Sequence, residues 1–188
     1  MEKCEEKTMT VKEELGNLLE KLMKGYEITS EGYPLSPRRK DVDPILYIGE
    51  PDTSGWCKWK PLEQASNEEF LSVMNVLNIE INQDVVQYFT SYYFFNFDIK
   101  FKSYVMGIND IAPGDKHKRL KMGLESFRDN RDGKIKLIPI GMEEGIGYSV
   151  VVEAKTGIVK LFDSENGKTR KIAPSLQEFL KNSEPIVM

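Results

Sequence analysis

Residues 134–181 constrain the fold more than any other stretch, because their apolar side chains recur at every second position and change to helical spacing only at the end. Ile135, Leu137 and Ile140 predict a first strand, broken by Pro139 and closed by Gly141. The acidic sequence Met142-Glu143-Glu144-Gly145 predicts a turn. Beyond it, Ile146, Tyr148, Val150 and Val152 fall on one face of a second strand, with Ser149, Val151 and Glu153 on the other. The turn sequences Ala154-Lys155-Thr156-Gly157 and Ser164-Glu165-Asn166-Gly167 bracket a strand over residues 158–162 and lead into another over 169–172. Ser175 and Glu178 have capping-box spacing, and Leu176, Phe179 and Leu180 form one face of a short helix. Antiparallel strands therefore end in a helix that must cover them.

Upstream, Thr10 and Glu13 make a second capping box, followed by Val11, Leu15, Leu18, Leu19, Leu22 and Met23 on one helical face until Gly25 offers a stop. Residues 31–44 hold Gly32, Pro34, Pro37 and the basic run Arg38-Arg39-Lys40, and read as a surface loop. Residues 45–48 read as a short strand, and residues 56–60, with Trp56 and Trp59, as another. The tryptophans fit packing against the core or a sheet better than a ligand platform. Ser66 with Glu69 predicts the start of a helix carrying Phe70, Val73, Met74 and Leu77, and Asn82 caps a further one carrying Val85, Val86, Phe89 and Tyr93. Phe97, Ile99, Phe101, Ser103 and Val105 alternate with polar residues as one strand. Residues 115–129 make a basic-surfaced helix with Leu120, Leu124 and Phe127 on its apolar side.

With 188 residues and no linker-like break, one domain over 1–188 is expected. A formal charge of −4 argues against nucleic acid as a partner, since phosphate binding needs a concentrated basic face. No run of apolar residues is long enough for a membrane span, and the N-terminus lacks an apolar signal segment, so a cytoplasmic location is expected. Cys4 and Cys57 are expected to be free thiols.

Motifs for catalysis or metal binding fail on inspection. His117 is the sole histidine, lies among lysines and reads as solvated. Gly167-Lys168-Thr169 has Phe162 where a phosphate loop needs glycine. Lys155-Thr156-Gly157 lacks the companion motifs of penicillin-recognising enzymes. A calcium loop around residues 130–133 would begin on Arg128 and end on Pro139, neither of them a calcium ligand. The acid pairs Glu143-Glu144 and Asp163 with Glu165 would serve glycoside hydrolysis only if two carboxylates faced each other across a cleft. No cofactor, no metal and no enzymatic activity are expected. What remains is acidity at turns and strand edges: Asp98, Asp110, Asp115, Glu143, Glu144, Glu153, Asp163 and Glu165. On a curved sheet they would line a concave acidic surface.

Several colinear segments carry a family resemblance: Trp59-Lys60-Pro61, the helix from Glu68, the aromatic helix end Tyr88 to Tyr93, Asp98-Ile99-Lys100, Glu143-Glu144, Gly167-Lys168-Thr169-Arg170-Lys171 and Ala173-Pro174-Ser175-Leu176-Gln177-Glu178-Phe179-Leu180. From about Tyr33 to its end the sequence resembles the family of the SecY-interacting protein Syd, within the SUKH (Smi1/Knr4-like) superfamily. The resemblance implies an α+β fold with a mixed, mainly antiparallel curved sheet and helices packed around it. It also implies a non-enzymatic, cytosolic binding protein, peripheral at the inner face of the bacterial membrane, whose acidic groove docks on basic cytosolic loops of the SecY translocon. By position, Asp98, Glu143 and Glu144 are the expected partner-binding residues, with Asp110, Asp163 and Glu165 as further candidates. The basic helix must then lie away from the groove. Other members of the superfamily imply an alternative, an immunity protein that neutralises a basic toxin. Turn carboxylates usually add little to stability, so reversing the charges of Glu143 and Glu144 is expected to spare the fold.

Overall fold

The computed structural model describes residues 9–114, 116–129 and 132–187, and within 116–119 the backbone alone. In chain order it contains α1 (Val11–Glu27), β1 (Leu35–Pro37), a 3-10 turn (Pro44–Leu46), β2 (Tyr47–Ile48), β3 (Trp56–Trp59), β4 (Leu62–Glu63), α2 (Glu68–Val76), α3 (Gln83–Ser91), β5 (Tyr92–Tyr93), β6 (Phe97–Phe101), β7 (Tyr104–Ile108), α4 (Lys116–Glu125), β8 (Leu137–Glu143), β9 (Ser149–Glu153), β10 (Val159–Asp163), β11 (Lys168–Ala173), α5 (Leu176–Lys181) and β12 (Ser183–Pro185).

The alternating residues build a seven-stranded sheet in the order β11-β10-β9-β8-β7-β6-β12. The expected α+β fold is present, and every pairing described in this sheet is antiparallel. Small sheets of β1-β3-β2 and β4-β5 stand beside it. One face is apolar: Ile99, Met106, Ile108, Val150, Val152 and Leu161 are buried in one cluster with Leu15 and Leu19 of α1 and Phe179 of α5. The sheet curls around this face. Arg170 on β11 stands 5.5 Å over the ring of Tyr104 on β7, although β8, β9 and β10 lie between them in the sheet. Flat strands would hold those two roughly 19 Å apart.

The local signals mostly act as read. Thr10 accepts from the Glu13 N–H while the Glu13 carboxylate accepts from the Thr10 N–H at 2.7 Å, closing the capping box. Asn82 and Ser175 accept from the N–H groups of Asp84 and Glu178 at 2.7 and 3.1 Å. Gly25 is not a stop, since α1 continues to Glu27. A Cβ on Gly25 would collide with Val187, so the glycine lets the C-terminal chain lie against the helix. At α2 no capping box forms: the cap is Asn67 without a side-chain bond, and Ser66 Oγ accepts from Glu68 N–H at 3.2 Å.

Other elements depart from the expectation. The presumed loop 31–44 contributes β1, which pairs with β3. Residues 45–48 divide into the 3-10 turn and β2. β8 runs through Pro139, where a bulge excuses the missing N–H, and continues past Gly141 to Glu143. The stretch 97–105 is a hairpin instead of one strand: Lys102 takes a φ of 55° and turns β6 into β7. That extra turn shifts the alternation, so Tyr104 and Met106 face the core while Val105 faces outward, 37% exposed. Trp59 is buried, edge-on to Phe95 at a centroid distance of 5.6 Å, whereas Trp56 is exposed; together they form no platform. Cys57 is a buried free thiol, and Cys4, Asp115 and the side chain of His117 lie outside the described residues.

Candidate docking surface

The candidate acids occupy three different settings. Glu143 ends β8 on the core side, opposite Met106, and is 6% exposed. Its carboxylate accepts from the N–H of Gly145 at 3.1 Å and of Ile146 at 2.7 Å, so it holds the β8–β9 turn together. Asp163 plays the same part in the β10–β11 turn, accepting from the Glu165 N–H at 2.9 Å and the Asn166 side-chain amide at 2.5 Å. It also pushes the nearby Tyr148 phenol above its usual pKa, because ionised tyrosine would face a carboxylate. Glu165 sits exposed at the tip of that turn. Asp110 is engaged elsewhere, 2.6 Å from Arg39 Nη2 in an ion pair beside Phe95.

Asp98 and Glu144 remain, and the ladder brings them to one face. Asp98 pairs with Gly107, Gly107 with Met142, and the Glu144 N–H extends the ladder by bonding to the Val105 carbonyl at 3.0 Å. Alternation along β8 sends Met142 and Glu144 outward and Glu143 inward. Register spacing puts the Cα atoms of Asp98 and Glu144 roughly 12 Å apart across the outer face. Asp98 Oδ1 lies 3.3 Å from the point where a Cβ on Gly107 would stand, so the carboxylate leans over a strand residue that has no side chain. Among the described residues, no cation forms an ion pair with Asp98 or Glu144. Lys100 shares the face, in the row Glu184–Lys100–Val105.

The same face is closed farther along. Val151 is fully buried outside the main core cluster, and Phe127, from the segment after α4, meets Phe162 at 5.4 Å. Beside them Lys160 Nζ donates to Glu153 at 2.8 Å. The β6–β8 part, by contrast, carries exposed side chains, among them Met142 at 56% exposure. Val105 turns outward because of the β6–β7 hairpin, and Met142 because β8 continues through the expected turn. The turn roles of Glu143 and Asp163 were legible in principle: a carboxylate two or three residues before a turn amide or glycine is the usual side-chain clamp of a tight turn. Charge reversal at Glu143 would therefore break a buried clamp, which corrects the expectation that it spares the fold.

Glu143 and Glu144 point to opposite sides of the sheet and do not face each other as a hydrolytic pair. Among the described residues no group of three or more His, Cys, Asp or Glu side chains gathers as a metal site. Among the described residues no helix is long and apolar enough to cross a membrane. The geometry is that of an α+β domain presenting one open, partly acidic sheet face. Comparison with known families gives it a lineage: the family described as Syd protein (SUKH-2) matches residues 12–185, and the chain belongs to that family. No curated protein matches it.

Proposed function

We propose that this Syd-family protein is a docking protein that sets the open face of β6–β8 against basic cytosolic loops of the SecY translocon, at the inner face of the bacterial membrane. The observation that carries the reading is the pair Asp98 and Glu144, outward on one face and without an ion-pairing cation among the described residues. Cytoplasmic loops of membrane proteins carry excess lysine and arginine. Opposite potentials steer such partners together and fix their register more than they hold them. The formal charge of −4 favours the encounter. Glu165, exposed at the neighbouring turn, extends the acidic rim, whereas Glu143 and Asp163 shape the turns that carry it.

Capture of SecY from solubilised membranes, from low to moderate salt, tests the reading with Asp98→Lys and Glu144→Lys, both on exposed or half-buried positions. Capture should fall about tenfold in the double variant, the equivalent of about 1.4 kcal/mol. Undiminished capture would count against this face. Rescue of cells from a basic toxin, with no enrichment on membranes, would replace the reading by an immunity role.

A further inference from the structure

The outward residues of this face are not all charged. Val105 and Met142 stand at diagonal positions on adjacent strands, where side chains of one face touch. They are 37% and 56% exposed, and Ile146, in the turn beyond Glu144, is 61% exposed. Single exposed apolar residues are ordinary; Val105 and Met142 lie beside two carboxylates, Asp98 and Glu144. Gly107, paired with Met142, adds no side chain to the face, and the Asp98 carboxylate leans over it.

Two carboxylates, one exposed and one half-buried, would not hold a partner by charge alone. An exposed ion pair shifts a binding equilibrium by a factor of about five at most, and salt screens it further. Apolar contact inside a ring of polar groups does the holding in most interfaces, and methionine adapts readily to differing partners. We infer that this face takes a partner segment in which an apolar side chain lies between two cations, the apolar group seated on Met142 and Val105 and the cations on Glu144 and Asp98. The inference rests on the docking reading of the same face and adds the chemistry of what it selects. Lys100, at the far side of Val105, disfavours a cation there and so helps set the register of the bound segment.

Two short fluorescent peptides with the same number of arginines test this, one alternating arginine with leucine and the other with serine. Anisotropy titration of the whole protein should show the leucine peptide binding about tenfold tighter or more. The preference should vanish in the Met142→Ser, Val105→Ser protein, while Asp98→Asn with Glu144→Gln should weaken both peptides. Equal affinity for the two peptides, or no binding of either, overturns the inference. So does a preference that survives in the serine variant with its melting temperature unchanged. If that variant melts lower, Met142→Gln alone decides by the same criterion. Selective peptide binding without SecY capture would sink the translocon reading and leave this one standing; SecY capture without peptide preference would do the reverse.

Discussion

Lys102 Nζ donates to the main-chain carbonyl of Ile172 at 3.0 Å, joining the tip of the β6–β7 hairpin to the last residues of β11. The two sites are far apart in strand order, and the bond exists because the sheet curls until its first and last long strands approach each other. Arg170 over Tyr104 is a second clasp on the same seam.

Loss of this clasp should loosen the seam without unfolding the domain. Lys102→Met is expected to cost about 1 kcal/mol, the net worth of a part-exposed hydrogen bond. Hydrogen exchange would check it: the amides of Ile172 and Ala173 should exchange faster, while those of β8 and β9 stay protected.

Neighbouring glutamates should behave oppositely. Glu143→Ala strips two backbone N–H groups of their acceptor and is expected to destabilise the fold by about 1–3 kcal/mol. Glu144→Ala should leave denaturant midpoints within about 0.5 kcal/mol of wild type and weaken partner capture. Urea titration and pull-down on the two variants separate the roles.

Gly141 lies where a Cβ would run into the Gly107 carbonyl of the next strand. Backbone yields less readily than a side chain, so Gly141→Ala should cost about 2 kcal/mol or more and disturb the floor of the docking face. Thermal melting gives the first effect, and peptide affinity the second.

Acid should erase one local contribution. The Lys160 ammonium, and then the Thr156 hydroxyl, hold the Glu153 carboxyl below its usual range. A carboxyl whose pKa is lower folded than unfolded adds stability above the unfolded value, and that addition fades as pH falls through the folded one. Lys160→Met should therefore lose about 1 kcal/mol near neutral pH, and the deficit should shrink below about pH 4.3, the unfolded glutamate value. Urea midpoints measured from pH 7 to pH 3 would show it; a deficit constant across that span would contradict it.

Local chemistry made much of this fold readable. The capping residues Thr10, Asn82 and Ser175 and the turns near Gly157 and Gly167 act through neighbours a few residues away, which the sequence displays directly. Lys102 was not readable as a turn, because a lysine at positive φ is unusual and only the pairing of Phe101 with Tyr104 enforces it. That one residue decides which way Val105 faces. Pro139 misled in the same manner, since its tolerance in β8 depends on a bulge set by the neighbouring strand. The roles of the acids divided along this line too: whether Glu143 or Glu144 turns inward depends on strand register, which composition does not reveal.

β12 has a consequence for how the molecule is made. Ser183 pairs with Phe101, roughly 80 residues earlier, and the strand closes the free edge of β6. During synthesis the central hairpins can assemble while that edge still waits, open to any passing extended chain. A segment made some 80 residues after its partner thus retires an adhesive edge of the nascent sheet.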